Sequence, residues 1–217
     1  MAFILGINGS PRKNGNTATM IRHALDGAES KGAATEIVHI YGIDFKGCAS
    51  CFACKRGEGK RSPRCVLEDG LTPVLAKFEK ADAIIVGSPV YIGDLTGSTR
   101  AFIERLIFPY ISYEEGVPNY LNRTLSSGII CTMGAPEERV KQMGFDRGPA
   151  MAEQIFKFIF GSCETISTFN TTQFDDYGKF LASRFDPAEK KAVRENRFPI
   201  DCAKAFDMGA RFADNAK

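Results

Sequence analysis

No stretch of this sequence approaches the roughly 18 consecutive apolar residues that a membrane-spanning helix requires. Net charge is nearly absent: 28 Lys and Arg stand against 26 Asp and Glu, leaving +2. Bulk charge therefore offers no grip on nucleic acid or an anionic membrane, and neither partner is expected. No basic leader precedes the first apolar segment at Phe3, so no secretory signal is expected and the cytoplasm is the expected location. Internal repeats and an interdomain linker are missing as well. Histidine is scarce. His23 falls in an expected helix and His39 in an expected strand, neither beside a cysteine or carboxylate motif, and both read as structural. No Ser-His-Asp or Cys-His constellation is available for nucleophilic catalysis.

What is present is ordinary globular material, 44% hydrophobic and 25% charged, in a chain long enough for one packed α/β domain over residues 1–217. Phe3 to Asn8 is a short apolar run ending in a Gly-Ser-Pro turn and reads as a buried first strand. Asn16 or Thr17 is expected to cap a helix carrying Met20, Ile21, Ala24, Leu25 and Ala28 inward. Thr35 to Ile40, Ala83 to Gly87, Thr124 to Thr132 and Cys163 to Phe169 read as further strands, with Ser88-Pro89 ending the third. Helices are expected around Leu71 to Phe78, around Phe102 to Ile107, from Met151 to Phe160 and from Pro199 to Ala213. Strands and helices alternate, and the strands are apolar throughout. That is the pattern of a parallel sheet covered by helices on both faces. Two connections are unusually long, a Cys-rich insertion at about 42–69 and the first part of a C-terminal extension at about 170–217. The aromatic and charged stretch 170–198 is read as a lid or a subunit contact.

Ligands of such sheets bind beyond the carboxyl ends of the strands. Three loops are expected there: Gly9–Thr17, Ser88–Gly93 and Thr132–Pro136. The first, Gly-Ser-Pro-Arg-Lys-Asn-Gly-Asn-Thr, joins hydroxyls, amides, glycines and two cations at a helix N-terminus, a ready anion site. It lacks the Gly-Lys-Ser/Thr of a Walker loop and the spacing of a dinucleotide fingerprint.

Gly-Ser-Pro-Arg-x-x-Gly-Asn-Thr after strand one, with Gly87-Ser88-Pro89-Val90-Tyr91 after strand three, resembles the NADPH-dependent FMN reductase and iron–sulfur flavoprotein group. Asp175-Asp176-Tyr177-Gly178 is similar to a later stretch of the same group, so the resemblance covers about residues 2–180. It implies a flavodoxin-like, doubly wound, five-stranded sheet of order 2-1-3-4-5. It also implies FMN, with Ser10, Arg12, Asn14, Asn16 and Thr17 on the phosphate side. Pro89, Val90, Tyr91, Ile92 and Gly93 would line the ring edge, and Thr132, Met133 and Gly134 a third wall. Tyr91 and Met133 also admit an ordinary packing role. The implied chemistry is reduction of FMN by NAD(P)H and delivery of electrons to a quinone, aromatic or other acceptor. The flavin itself does this chemistry, so no catalytic side chain is expected. A homodimer or homotetramer is implied by the same resemblance.

Seven cysteines remain to be placed. Cys131, Cys163 and Cys202 sit singly in apolar segments and read as buried packing residues. Cys48, Cys51, Cys54 and Cys65 are clustered. Two-residue spacings let a turning backbone aim thiolates at one centre with its N–H groups facing sulfur. A disulfide framework is not expected in a cytosolic protein. The cluster resembles the compact four-cysteine motif of iron–sulfur flavoproteins, which implies a [4Fe–4S] cluster, although the gap before Cys65 is longer than in that pattern. Zinc and free, redox-active thiols remain alternatives. The insert Lys55–Arg64 is basic and reads as a flexible loop, either simply solvated or placed beside a cluster or an acidic partner. A cluster would favour a second reading, an electron carrier exchanging electrons with a ferredoxin-like protein. A third reading is a non-enzymatic flavin- or zinc-binding module.

Overall fold

The computed structural model describes residues 1–56 and 64–216. Most of the basic insert lies outside these, so the expectation for it is not tested. The strands are β1 (Phe3–Asn8), β2 (Ala34–His39), β3 (Ala83–Tyr91), β4 (Asp94–Leu95), β5 (Ser126–Thr132) and β6 (Glu164–Thr168). The helices are α1 (Asn16–Glu29), α2 (Thr72–Lys80), α3 (Gly97–Ile107), α4 (Glu137–Met143), α5 (Arg147–Phe160), α6 (Pro187–Ala192) and α7 (Phe198–Asn215). Five parallel strands run β2-β1-β3-β5-β6, and β4 pairs antiparallel with the end of β3. The unexpected two-residue β4 shifts the numbering of the expected order 2-1-3-4-5.

Alternation along each central strand builds two cores. Leu5, Ile7, Ile84, Val86, Ile129 and Cys131 face one side, where α2, α3 and α5 pack. Ile4, Ala83, Ile85 and Ile130 face the other, against α1 and α7. Cys131, Cys163 and Cys202 are buried in these layers, as small apolar thiols tend to be. Glycine permits the close crossing of α1 and α7. A Cβ at Gly209 would lie 1.7 Å from the Ala24 carbonyl oxygen, and one at Gly27 would lie 2.0 Å from that of Phe206.

The third strand continues through Ser88-Pro89 instead of ending there, pairing Pro89 with Thr132. Its other neighbour, β1, has already stopped at Asn8 opposite Gly87, so the N–H that proline lacks is not missed. The expected cap also moves. Gly15 holds the N-cap of α1, and no side chain caps it. Between α6 and α7 the chain makes one wide helical turn, Val193–Arg197, so the expected loop 170–198 is partly helical. Among the described residues, no helix is long and apolar enough to cross a membrane.

Candidate functional site: the phosphate-type loop and the four-cysteine pocket

The carboxyl ends of β1, β3, β5 and β6 bring the expected loops to one edge of the sheet. The loop after β1 is braced from below. Asn8 accepts the Ser10 N–H at 3.1 Å and shares a 2.8 Å hydrogen bond with His39 Nδ1. Burial lowers the His39 pKa, and Arg22 and Lys13 lower it further, which favours the neutral ring as a structural partner. Ser10 Oγ accepts the Arg12 N–H at 3.1 Å, and Thr17 Oγ1 lies 2.8 Å from Thr132 Oγ1. With no side-chain cap on α1, the first-turn amides keep their donor character for a ligand.

Arg12, Asn14, Gly15 and Asn16 form one wall of a cleft of about 990 Å³. Phe174, Tyr177, Lys190 and Arg194 contribute the opposite wall. Two loop donors cross the gap: Arg12 donates to the Gln173 carbonyl and Asn16 to the Thr172 carbonyl at 2.9 Å. Arg194 donates to Asn16 Oδ1 at 3.1 Å. The segment after β6 thus lies over the loop. Its Gln173 side chain covers Gly134, where a Cβ would meet Gln173 Nε2 at 1.5 Å.

Not every expected residue reaches this cleft. Ser10 and Thr17, both buried, and Pro89 to Gly93 and Thr132 to Gly134 do not line it. The Met133 side chain is buried in the larger core, so that position offers backbone only. Tyr91 is exposed, not packed inside. Ile92 and Gly93 form the β3–β4 turn with φ of 53° and 81°. A β-branched residue in that region is strained, and Ile92 is fully exposed. Such strain is characteristic of functional turns.

Sequence reasoning missed Lys190. Its ammonium is buried, donating to the Gly134 and Thr171 carbonyls and lying 4.8 Å over the Phe185 ring. Burial pushes its pKa down to about 8. Between that value and the ordinary lysine pKa the unfolded chain holds more protons, so stability rises with pH through this window. Paired thermal melts of wild type and Lys190→Met are expected to shift in favour of wild type as pH rises from about 8. A constant difference across the window would contradict this environment.

The four clustered cysteines share a second pocket, between the insertion and α3, with Phe52, Glu104, Arg105 and Phe108. Cys51 is exposed and Cys54 buried. Ser50 and Phe52 both have positive φ, 53° and 54°, winding the chain tightly between the thiols. Cys48 Sγ accepts the Ser50 N–H at 3.4 Å, and Glu104 accepts the Cys48 N–H at 3.1 Å. Burial raises the Cys54 thiol pKa. Lys55 opposes that, while Cys65 and Cys48 add to it. The free volume between the groups is about 10 Å³. Among the described residues, no three His, Cys, Asp or Glu groups converge as ligands of one metal ion. The donor set, four cysteines lining one pocket, is of the kind that would hold a sulfur-ligated cluster.

The parallel sheet and the loop geometry define a flavodoxin-like α/β protein with an anion-type loop at its switch edge. The family model for NADPH-dependent FMN reductase matches residues 3–122, and the chain belongs to that family. It is similar to an iron–sulfur flavoprotein of Methanocaldococcus jannaschii, 36% identical over 102 residues, covering 47% of this chain and 50% of that protein. An iron–sulfur flavoprotein of Archaeoglobus fulgidus is 32% identical over 150 residues, covering 60% of this chain and 65% of that one. The chain spans about half the length of most of the curated relatives it matches. Among solved structures, an NAD(P)H:quinone oxidoreductase from Methanothermobacter marburgensis has a TM-score of 0.69 at 13% identity, covering 96% of this chain and 98% of that one. RosB, solved with 8-demethyl-8-formylriboflavin-5'-phosphate, has a TM-score of 0.68 at 14% identity, covering 99% and 80%. At such identities these two show the fold alone.

Proposed function

We propose that this chain is one FMN-binding domain that works as an oxidoreductase, taking electrons from NAD(P)H and passing them to a small acceptor such as a quinone or aromatic. The observation that carries this reading is the braced loop 9–17, with uncapped helix amides and oriented Arg12 and Asn16 donors, in a chain of the FMN reductase family. When bound, FMN supplies two-electron acceptance and one-electron release. The protein's part is to bind and orient. Ser10, Arg12, Asn14, Asn16 and Thr17 hold the phosphate, and Arg12 and Asn16 exchange the carbonyls of 172–173 for more strongly accepting phosphate oxygens. Pro89 to Gly93 and the Thr132–Gly134 backbone border the ring. Exposed Tyr91 and Ile92 leave that edge for a substrate or a second subunit of a homo-oligomer.

A second reading, electron exchange with a ferredoxin-like partner, is favoured by the shared pocket of Cys48, Cys51, Cys54 and Cys65. Here those cysteines would hold a [4Fe–4S] cluster for one-electron transfer. Anaerobic titration of the FMN-loaded protein with NADPH separates the two. Bleaching of the flavin bands and turnover with a quinone support the first reading. Reduction by a reduced ferredoxin but by neither pyridine nucleotide supports the second. No FMN binding contradicts both.

A further inference from the structure

Helix α3 buries one guanidinium beneath the four-cysteine pocket. The Arg105 side chain is fully buried, on the same helix face as core residues Phe102 and Leu106. Its Nη1 donates to the Lys46 carbonyl at 2.9 Å and to Asp69 Oδ2 at 2.7 Å. Its Nη2 donates to the Leu67 carbonyl at 2.9 Å and to Asp69 Oδ1 at 3.2 Å. Lys46 and Leu67–Asp69 flank the two ends of the cysteine segment. One side chain therefore ties the two flanks of the cysteine segment together, with a bidentate, charge-assisted pair to Asp69.

A further observation points from Arg105 into the pocket. Its Nε is buried, and on the pocket side the guanidinium meets the Cys65 side chain, which it hydrogen-bonds. Arg105 and Cys65 line the same pocket.

We infer that Arg105 is a positioning residue for a cysteine-bound iron–sulfur cluster. Its two terminal nitrogens clamp the flanks of the cysteine segment at Lys46 and Leu67–Asp69, and its pocket side hydrogen-bonds the Cys65 sulfur. This rests on the cluster reading above. Hydrogen bonds to cluster sulfurs and nearby positive charge raise a cluster's reduction potential. Arg105 thus acts on both loading and potential while standing outside the flavin site.

The test reconstitutes wild type, Arg105→Gln and Arg105→Lys anaerobically. Iron and acid-labile sulfide per chain, the cluster's midpoint potential and FMN content are measured for each. Arg105→Gln is expected to lose at least half of its iron and sulfide, and the cluster that remains shifts to lower potential. Arg105→Lys keeps the charge but not the fork, so it regains part of the loading and has an intermediate potential. FMN content stays at the wild-type level. If Arg105→Gln does not fold, Arg105→Lys decides alone. Full loading at unchanged potential in either folded variant overturns the inference. Wild type that takes up neither iron nor sulfide overturns the cluster reading and this inference together.

Discussion

Replacing Arg12 with alanine is expected to weaken FMN binding by about 10- to 100-fold, the range for losing a charge-assisted hydrogen bond of about 1.5–3 kcal/mol. Arg12 is exposed and carries no core packing. Its side-chain contact is the Gln173 carbonyl across the cleft, so the flavin-free protein is expected to melt near the wild-type temperature. Two forces add in the bound state, the fork geometry that suits phosphate and the net positive charge beside the positive end of α1. The loss should shrink as salt is raised, because the loop is solvent-accessible. Lys31→Ala is the matched control. It removes a surface cation paired with Asp214 at the far end of α1 and is expected to leave FMN affinity unchanged. Isothermal titration with FMN measures all three proteins. Equal affinity for wild type and Arg12→Ala would remove the phosphate from this loop.

Gly209→Ala is expected to destabilise the fold by about 3 kcal/mol, the upper end of overpacking penalties. The reason is backbone on both sides. The new methyl would fall 1.7 Å from the Ala24 carbonyl oxygen, and a helix backbone cannot rotate away as a side chain can. Separating α1 from α7 would also open the core around Met20, Ile21, Met208 and Phe212. Alanine's better helix propensity returns only about 1 kcal/mol. In a chain of this size the melting temperature should fall by about 6–12 °C. Gly97→Ala is the contrasting case, with no atom within 4 Å of the added Cβ, and its melting temperature should stay level or rise slightly. Equal stability of Gly209→Ala and wild type would mean that α1 and α7 do not cross this closely. The loop at the start of α1 would then lose its support from behind.

The buried strands were legible because continuous apolar runs such as Ala83–Gly87 have few other uses in a chain of this kind. The long helices were legible because α1, α3 and α7 carry apolar stripes. Short helices were not. In α4 only Val140 is buried, and in α6 only Lys190, so neither has a stripe to show the 3.6-residue period. The two residues of β4 are too few for any period. In the candidate site, Ser10, Arg12, Asn16 and Thr17 were legible as a loop opening a helix. Thr172 and Gln173 were not, because they act through backbone carbonyls, which carry no residue signature. Arg105 did leave a signal, a charged residue within the apolar face set by Phe102 and Leu106. A buried cation in that place asks for partners, and Asp69 and the Lys46 and Leu67 carbonyls supply them.

The most direct test of the account is the visible absorption spectrum of protein purified without oxygen, with FMN, iron and acid-labile sulfide measured on the same sample. The account predicts flavin bands with about one FMN per chain, as one braced phosphate loop per chain requires. Iron and sulfide in the same sample would assign the cysteine pocket to a cluster and favour the electron-carrier reading. Flavin alone would leave a reductase with free thiols. A colourless protein that still shows no flavin bands after FMN is added would contradict the central claim.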